Sequence, residues 1–126
     1  MINILGKVPT ILMLVSPILI TATGGMICER SGVVNIALEG LMIFGAFAAA
    51  TAHFFLEPVI GPNSVWIALL VGACFGMLFS LIHAFAAISL NADQTVSGTG
   101  INLLANGVTI FLAQILFKQD RTKQFM

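Results

Sequence analysis

Few side chains in this 126-residue chain could do chemistry in a nonpolar medium, and most of them fall in two stretches. In the first, Glu29-Arg30-Ser31-Gly32 leads to Asn35 and Glu39, and Glu39 is the only acidic residue well inside an apolar segment. Asn35 and Glu39 are four apart, so a helix running through both would place them on one face. A carboxylate inside a membrane span costs a few kcal/mol unless it meets a cavity or a partner. Glu39 therefore has two readings. It lines a polar path or holds a helix junction, or it stays near an interface, snorkelling or lying in the first turn of a helix capped by Asn35, where the dipole favours an anion. In the second stretch Thr95, Thr99, Asn102, Asn106 and Thr109 fall within an arc of roughly 80° at helical spacing. Asparagines in such a stripe either hydrogen-bond to another helix or line a wet path.

Other chemistries lack their parts. There is no nucleophile elbow, no pair of carboxylates and no nucleotide-binding motif, and Gly98-Thr99-Gly100 has neither a preceding strand nor a following Lys-Ser/Thr. His53 and His83 have no second ligand at metal-binding spacing, so no metal site and no cofactor are expected. Five basic residues balance five acidic ones, which leaves no electrostatic case for nucleic acid. Cys28 and Cys74 fall at different depths, which argues against a bridge and for two buried structural thiols. An enzyme is not expected.

The elements that must position these residues follow from composition. Hydrophobic residues make up 59% of the chain and charged residues 8%, where a soluble surface needs about a quarter charged. The bilayer is the expected solvent. Apolar segments at about 8–27, 33–55, 64–90 and 96–117 each have about the 20 residues a helix needs to cross a hydrocarbon core of roughly 30 Å. The runs lack period-two alternation, so the fold class is all-α: a polytopic transmembrane helical bundle of four spans in one domain. Connections at 28–32, 56–63 and 91–95 are short, which makes consecutive spans antiparallel neighbours; a broken or re-entrant element around 31–35 is an alternative. The run after Lys7 is longer than a signal-peptide core and contains Pro17, so it is expected to be a retained span. Pro17 should kink it, and Gly24 and Gly25 should loosen its end. An even span count puts both ends on the side carrying Lys7, Lys118, Arg121 and Lys123, which is cytoplasmic by the positive-inside rule. In the third segment Trp66 suits an interfacial anchor, and Gly72, Gly76, Ser80 and Ala84 place a small residue at every fourth position. That ladder lets a neighbouring backbone come close, whether from this chain or another.

The run from Glu29 to Gly40, with Gly45-Ala46-Phe47 after it, resembles a motif in the first half of permease subunits of bacterial ABC importers, in the branch handling simple sugars and nucleosides, related to ribose and branched-chain amino-acid permeases. Asp93-Gln94-Thr95-Val96-Ser97-Gly98 with Ile101-Asn102-Leu103-Leu104 is similar to a second motif of that branch, about 55 residues further on. The resemblance implies a multi-pass subunit of the bacterial cell membrane that pairs with a second permease subunit. It also implies two cytoplasmic ABC ATPase subunits and an extracytoplasmic solute-binding protein, a lipoprotein in many bacteria. Such permeases have more spans and a cytoplasmic docking loop, so the chain is expected to be an N-terminal part. The Asn-Ile-Ala-Leu-Glu-Gly wording is nearer to nucleoside-type relatives, with nucleosides first and simple sugars second as substrate. On this reading Asn35, Glu39, Thr99, Asn102 and Asn106 contribute to the polar interior near the path.

Two other classes compete. A small four-helix exporter coupled to the proton gradient would use Glu39 as its proton-exchanging carboxylate, although the chain has no Tyr and only one Trp to hold a cation on an aromatic face. A non-transporting scaffold would need only the small-residue ladder.

Overall fold

The computed structural model describes residues 4–118, and Arg121 and Lys123 lie outside them. Four α-helices follow in order: α1 (Ile4–Arg30), α2 (Leu38–Ile60), α3 (Ser64–Ala84) and α4 (Gln94–Phe117). Among the described residues there is no strand. The chain falls into two compact units that part between Asn35 and Ile36.

The first unit is α1 and the stretch after it. The helix continues through Pro9, Pro17 and the Gly24-Gly25 pair to Arg30, so the expected loop at 28–32 is displaced. Hydroxyls support this helix from within: Ser16 Oγ donates to the Leu12 carbonyl at 2.6 Å and Thr21 Oγ1 to the Pro17 carbonyl at 2.8 Å. Gly32 then takes φ +87°, a left-handed conformation that side chains disfavour, and ends the helical path. Residues 33–35 are non-helical.

The second unit is a three-helix bundle. The stretch 38–89 is helical almost throughout but folds back on itself at Gly61, whose φ of 68° and ψ of −150° lie in a region open essentially to glycine alone. Pro58 sits in the last turn of α2, and a single 3-10 turn, Gly61–Asn63, joins it to α3. The turn is shorter than the expected 56–63 because the helix continues past Glu57. Antiparallel packing of α2 and α3 follows from their contacts, since Gly72 lies against Gly45 and Ala49 while Gly76 approaches Leu41. Phe44 stacks on Phe79 with centroids 3.6 Å apart, and Ser64 reaches His53.

After α3 a π-helical turn, Phe85–Ser89, and Asn91 at φ 49° release the chain toward α4. Asp93 caps α4, its Oδ1 accepting from the backbone N–H of Thr95 at 2.8 Å and of Val96 at 3.1 Å. These bonds satisfy two of the donors that a helix start leaves open. The α4 helix runs parallel to α2: Asn102 meets Gly40 near one end, and Phe54 packs edge-on against Phe117, 5.0 Å away, near the other. Side chains on the outside are overwhelmingly apolar, with Leu70, Leu78, Phe85 and Leu103 all more than half exposed. Trp66 is exposed in the first turn of α3, as an interfacial anchor requires.

Three helical stretches are long and apolar enough to cross a membrane: 6–30, 38–89 and 94–117. The second of these contains α2 and α3 end to end, folded at Gly61.

Candidate functional site

The polar centre of the three-helix bundle is Asn102. Its Nδ2 donates to the carbonyl of Ile36 at 3.0 Å, and its Oδ1 accepts from the N–H of Gly40 at 2.7 Å. Gly40 is the third residue of α2, so its N–H is one of those a helix cannot satisfy internally. Ala37, at the N-cap position, supplies no side-chain bond. The cap comes instead from α4, 62 residues along the chain. This arrangement demands close approach: a Cβ on Gly40 would stand 2.8 Å from Asn102 Oδ1, and one on Gly98 would stand 3.0 Å from Ile36 Cβ.

Glu39 lies one residue before Gly40, in the first turn of α2, and is exposed. The expectation that it shares a helix face with Asn35 fails, because α2 begins at Leu38 and Asn35 belongs to the non-helical stretch 33–35. Asn35 does not occupy the cap position either. Glu39 instead sits where the partial positive charge of the helix start favours a carboxylate.

The α4 stripe divides between bonding within its own helix and bonding across. Thr99 Oγ1 bonds back to the carbonyl of Thr95, and Thr109 Oγ1 donates to Ala105 at 2.6 Å. Asn106 Nδ2 donates to the carbonyl of Asn102 at 3.1 Å. Thr95, Thr99 and Asn106 are exposed, Asn102 is half-buried and Thr109 is buried. One face of α4 thus carries polar groups outward beside the start of α2.

Both histidines join adjacent helices, a role that sequence spacing concealed. His53 Nδ1 and Ser64 Oγ lie 2.8 Å apart, tying α2 to the start of α3. His83 is 2% exposed, and its Nδ1 lies 3.1 Å from Ser97 Oγ, tying the end of α3 to the first turn of α4. Among the described residues no three His, Cys, Asp or Glu side chains gather as a metal-ligand group. The cysteines are free, Cys28 half-buried and Cys74 exposed, so neither is the buried thiol expected.

The small residues of α3 serve this bundle. A Cβ on Gly72 would come within 2.7 Å of the Gly45 carbonyl oxygen and 2.9 Å of Ala49 Cβ, while one on Gly76 would meet the Leu41 carbonyl oxygen at 3.9 Å. The backbone that approaches the ladder at these two positions is therefore α2 of the same chain. Ser80 and Ala84, further along the ladder, are half-buried.

These features define a membrane-embedded helical protein whose polar groups cap helices, join them and present one polar helix face. The chain belongs to the family described as branched-chain amino acid transport system / permease component, which matches residues 8–125. Its members are transport subunits and not enzymes. Over 115 residues it is 50% identical to the guanosine ABC transporter permease protein NupQ of Bacillus subtilis, covering 91% of this chain and 36% of that protein. It is 40% identical over 106 residues to the nucleoside ABC transporter permease protein NupC of Lactococcus lactis, covering 84% and 33%. It is 37% identical over 94 residues to the putative glucose ABC transporter permease protein TsgC13 of Haloferax volcanii, covering 75% and 27%. The chain thus spans about a third of the length of the curated relatives it matches. No solved structure matches it.

Proposed function

We propose that this chain belongs to the membrane-spanning permease of an ATP-driven importer in the bacterial cell membrane, with nucleosides as its first substrate class and simple sugars as its second. The observation that carries this is 50% identity to a guanosine permease across 91% of the chain. Its partners on this reading are two cytoplasmic ABC ATPase subunits, a second permease subunit and an extracytoplasmic solute-binding lipoprotein. The chain crosses the bilayer four times, once with each helix, and both ends are cytoplasmic, in keeping with Lys7 and Lys118 near them. Glu39, Thr99 and Asn106 face the solute path, and Asn102 holds the wall of the path in place. The proton-coupled exporter is less well supported, because Glu39 occupies the first turn of α2 and not the middle of a span.

Guanosine uptake tests this in cells stripped of their own nucleoside permeases and supplied with the permease, its ATPase and its binding protein. Uptake should cease when the ATPase is inactivated and continue when the proton gradient is collapsed at constant ATP. The reverse pattern would favour the exporter. Glu39→Gln and Asn106→Leu should each lower uptake several-fold at unchanged permease levels, and full uptake in both removes these residues from the path.

A further inference from the structure

The polar groups around Asn102 fall on one side of the bundle. Gly40 and Asn102 face each other across the parallel pair of α2 and α4. A helix turns about 100° per residue, so Glu39 points away from that contact. Thr99 and Asn106 stand roughly 60° and 40° round from Asn102, in the sense that turns them toward the side Glu39 faces. Leu41 and Phe44 turn the other way and meet α3, at Gly76 and Phe79. Glu39, Thr99 and Asn106 therefore share the side of the α2 and α4 pair opposite α3, and all three are exposed.

The hydrogen-bonding capacity left open on this side has a definite sign. The Thr99 hydroxyl gives its proton to the carbonyl of Thr95, and one Asn106 N–H goes to the carbonyl of Asn102. Among the described residues the Glu39 carboxylate has neither a hydrogen bond nor an ion pair. Two carboxylate oxygens, Thr99 Oγ1 and Asn106 Oδ1 remain as acceptors, against one Asn106 N–H as donor. Such a surface fits a neutral solute rich in donors and repels an anion, a phosphorylated solute included. The two substrate classes proposed above share one donor pattern, a pair of hydroxyls on adjacent carbons, whereas only one of them carries a base. The two oxygens of a carboxylate can accept both O–H groups at once.

We propose that Glu39 reads the sugar: its carboxylate accepts from the 2′- and 3′-hydroxyls of a nucleoside, with Thr99 and Asn106 beside it as further acceptors. This selectivity rests on the permease reading above. With both ends of the chain cytoplasmic, the start of α2 lies on the outer side, so the contact is made as solute enters.

The test compares uptake of guanosine and 2′-deoxyguanosine by the complete permease with its ATPase and binding protein, each solute well below saturation. The binding protein makes its own choice between the two, but that choice is the same for every permease variant. A change in the uptake ratio between variants therefore isolates the permease. Glu39→Gln keeps the size and removes the charge, and Glu39→Met removes both acceptors. At unchanged permease levels the ratio of guanosine to 2′-deoxyguanosine uptake should fall about 10-fold in Glu39→Met, the fold-change for losing one hydrogen bond to a charged group, and part of the way in Glu39→Gln. Should Glu39→Met fail to reach the membrane, the Glu39→Gln ratio decides. A ratio that stays at the wild-type value, even with slower uptake of both solutes, overturns the proposal and leaves the transport reading standing. A change confined to the ratio of guanosine to inosine, which lacks only the 2-amino group, assigns Glu39 to the base and overturns it too. Absence of ATPase-dependent guanosine uptake by the unaltered permease sinks the transport reading itself.

Discussion

Replacing Asn102 by leucine tests the most specific contact in the bundle. Leucine branches at the same atom as asparagine but is bulkier, so the change removes hydrogen bonds and also crowds the close contact with Gly40. Two are lost, the 2.7 Å bond from Gly40 N–H and the 3.0 Å bond to the Ile36 carbonyl. Interhelical bonds in membrane proteins contribute on average about 0.6 and at most about 1.7 kcal/mol each. The pair should therefore cost about 1–3 kcal/mol, near the upper end because Gly40 N–H is a helix-start donor without another acceptor. Asn106→Leu is the control, since among the described residues the Asn106 amide bonds along its own helix, to the Asn102 carbonyl. It should cost less than about 0.5 kcal/mol. The assay is reversible unfolding of the purified permease in mixed micelles as a denaturing detergent is added, followed by helical circular dichroism. Equal losses for the two variants would refute the claim that Asn102 caps α2 from across the bundle.

Three further outcomes follow from the packing. Gly72→Val should cost about 1–3 kcal/mol or prevent assembly, because its Cβ has no room against Gly45 and Ala49, whereas Gly76→Ala should change unfolding by less than about 0.5 kcal/mol. Ser97→Ala should cost about 1–2 kcal/mol by leaving His83 Nδ1 buried without its bond, and adding His83→Leu should recover part of that loss in a double-mutant cycle. Gly107→Ala adds a methyl where nothing lies within 4 Å and should stabilise α4 by up to about 1 kcal/mol in the same unfolding assay.

The helical class was legible because unbroken apolar runs leave the backbone no other way to satisfy itself in lipid. The small residues of α3 were legible as a pattern, and the backbone that meets Gly72 was not, because spacing on α3 does not say which backbone approaches. Helix ends were the weakest part. The lead-in to α2 looked continuous with its span, yet Gly32 at positive φ and the non-helical residues 33–35 delay the helix to Leu38. No local capping signal marks that start, since Ala37 has no side chain to offer and the capping group is Asn102. A contact 62 residues away lies beyond any periodicity window. The same holds for His53 with Ser64 and His83 with Ser97, whose hydrogen bonds join residues 11 and 14 apart on different helices. Asp93, by contrast, stands directly before the helical run, in the cap position that its residue type favours.

The polar ties of the bundle sit toward its ends, and that placement limits how its helices move. His53 with Ser64 holds α2 to α3 beside their connecting turn, and Asn102 with Ile36 and Gly40 holds α4 to the start of α2. Between the ends, α2 and α3 meet at Gly45 and Gly72 with almost no side chain between the backbones. Sliding α3 by one turn, about 5.4 Å, would break the His53–Ser64 bond and take Gly72 out of its contact with Gly45 and Ala49. Hydrocarbon offers the freed groups no substitute partners. Small displacements between α2 and α3 therefore cost more than displacing the three-helix unit as a whole, and on the permease reading proposed above α2, α3 and α4 would move together. Disulfides formed between cysteines placed at Leu41 and Gly76, where α2 and α3 come close, would test this, since on the permease reading a unit that moves as one body keeps transporting when locked internally, and one that shears does not.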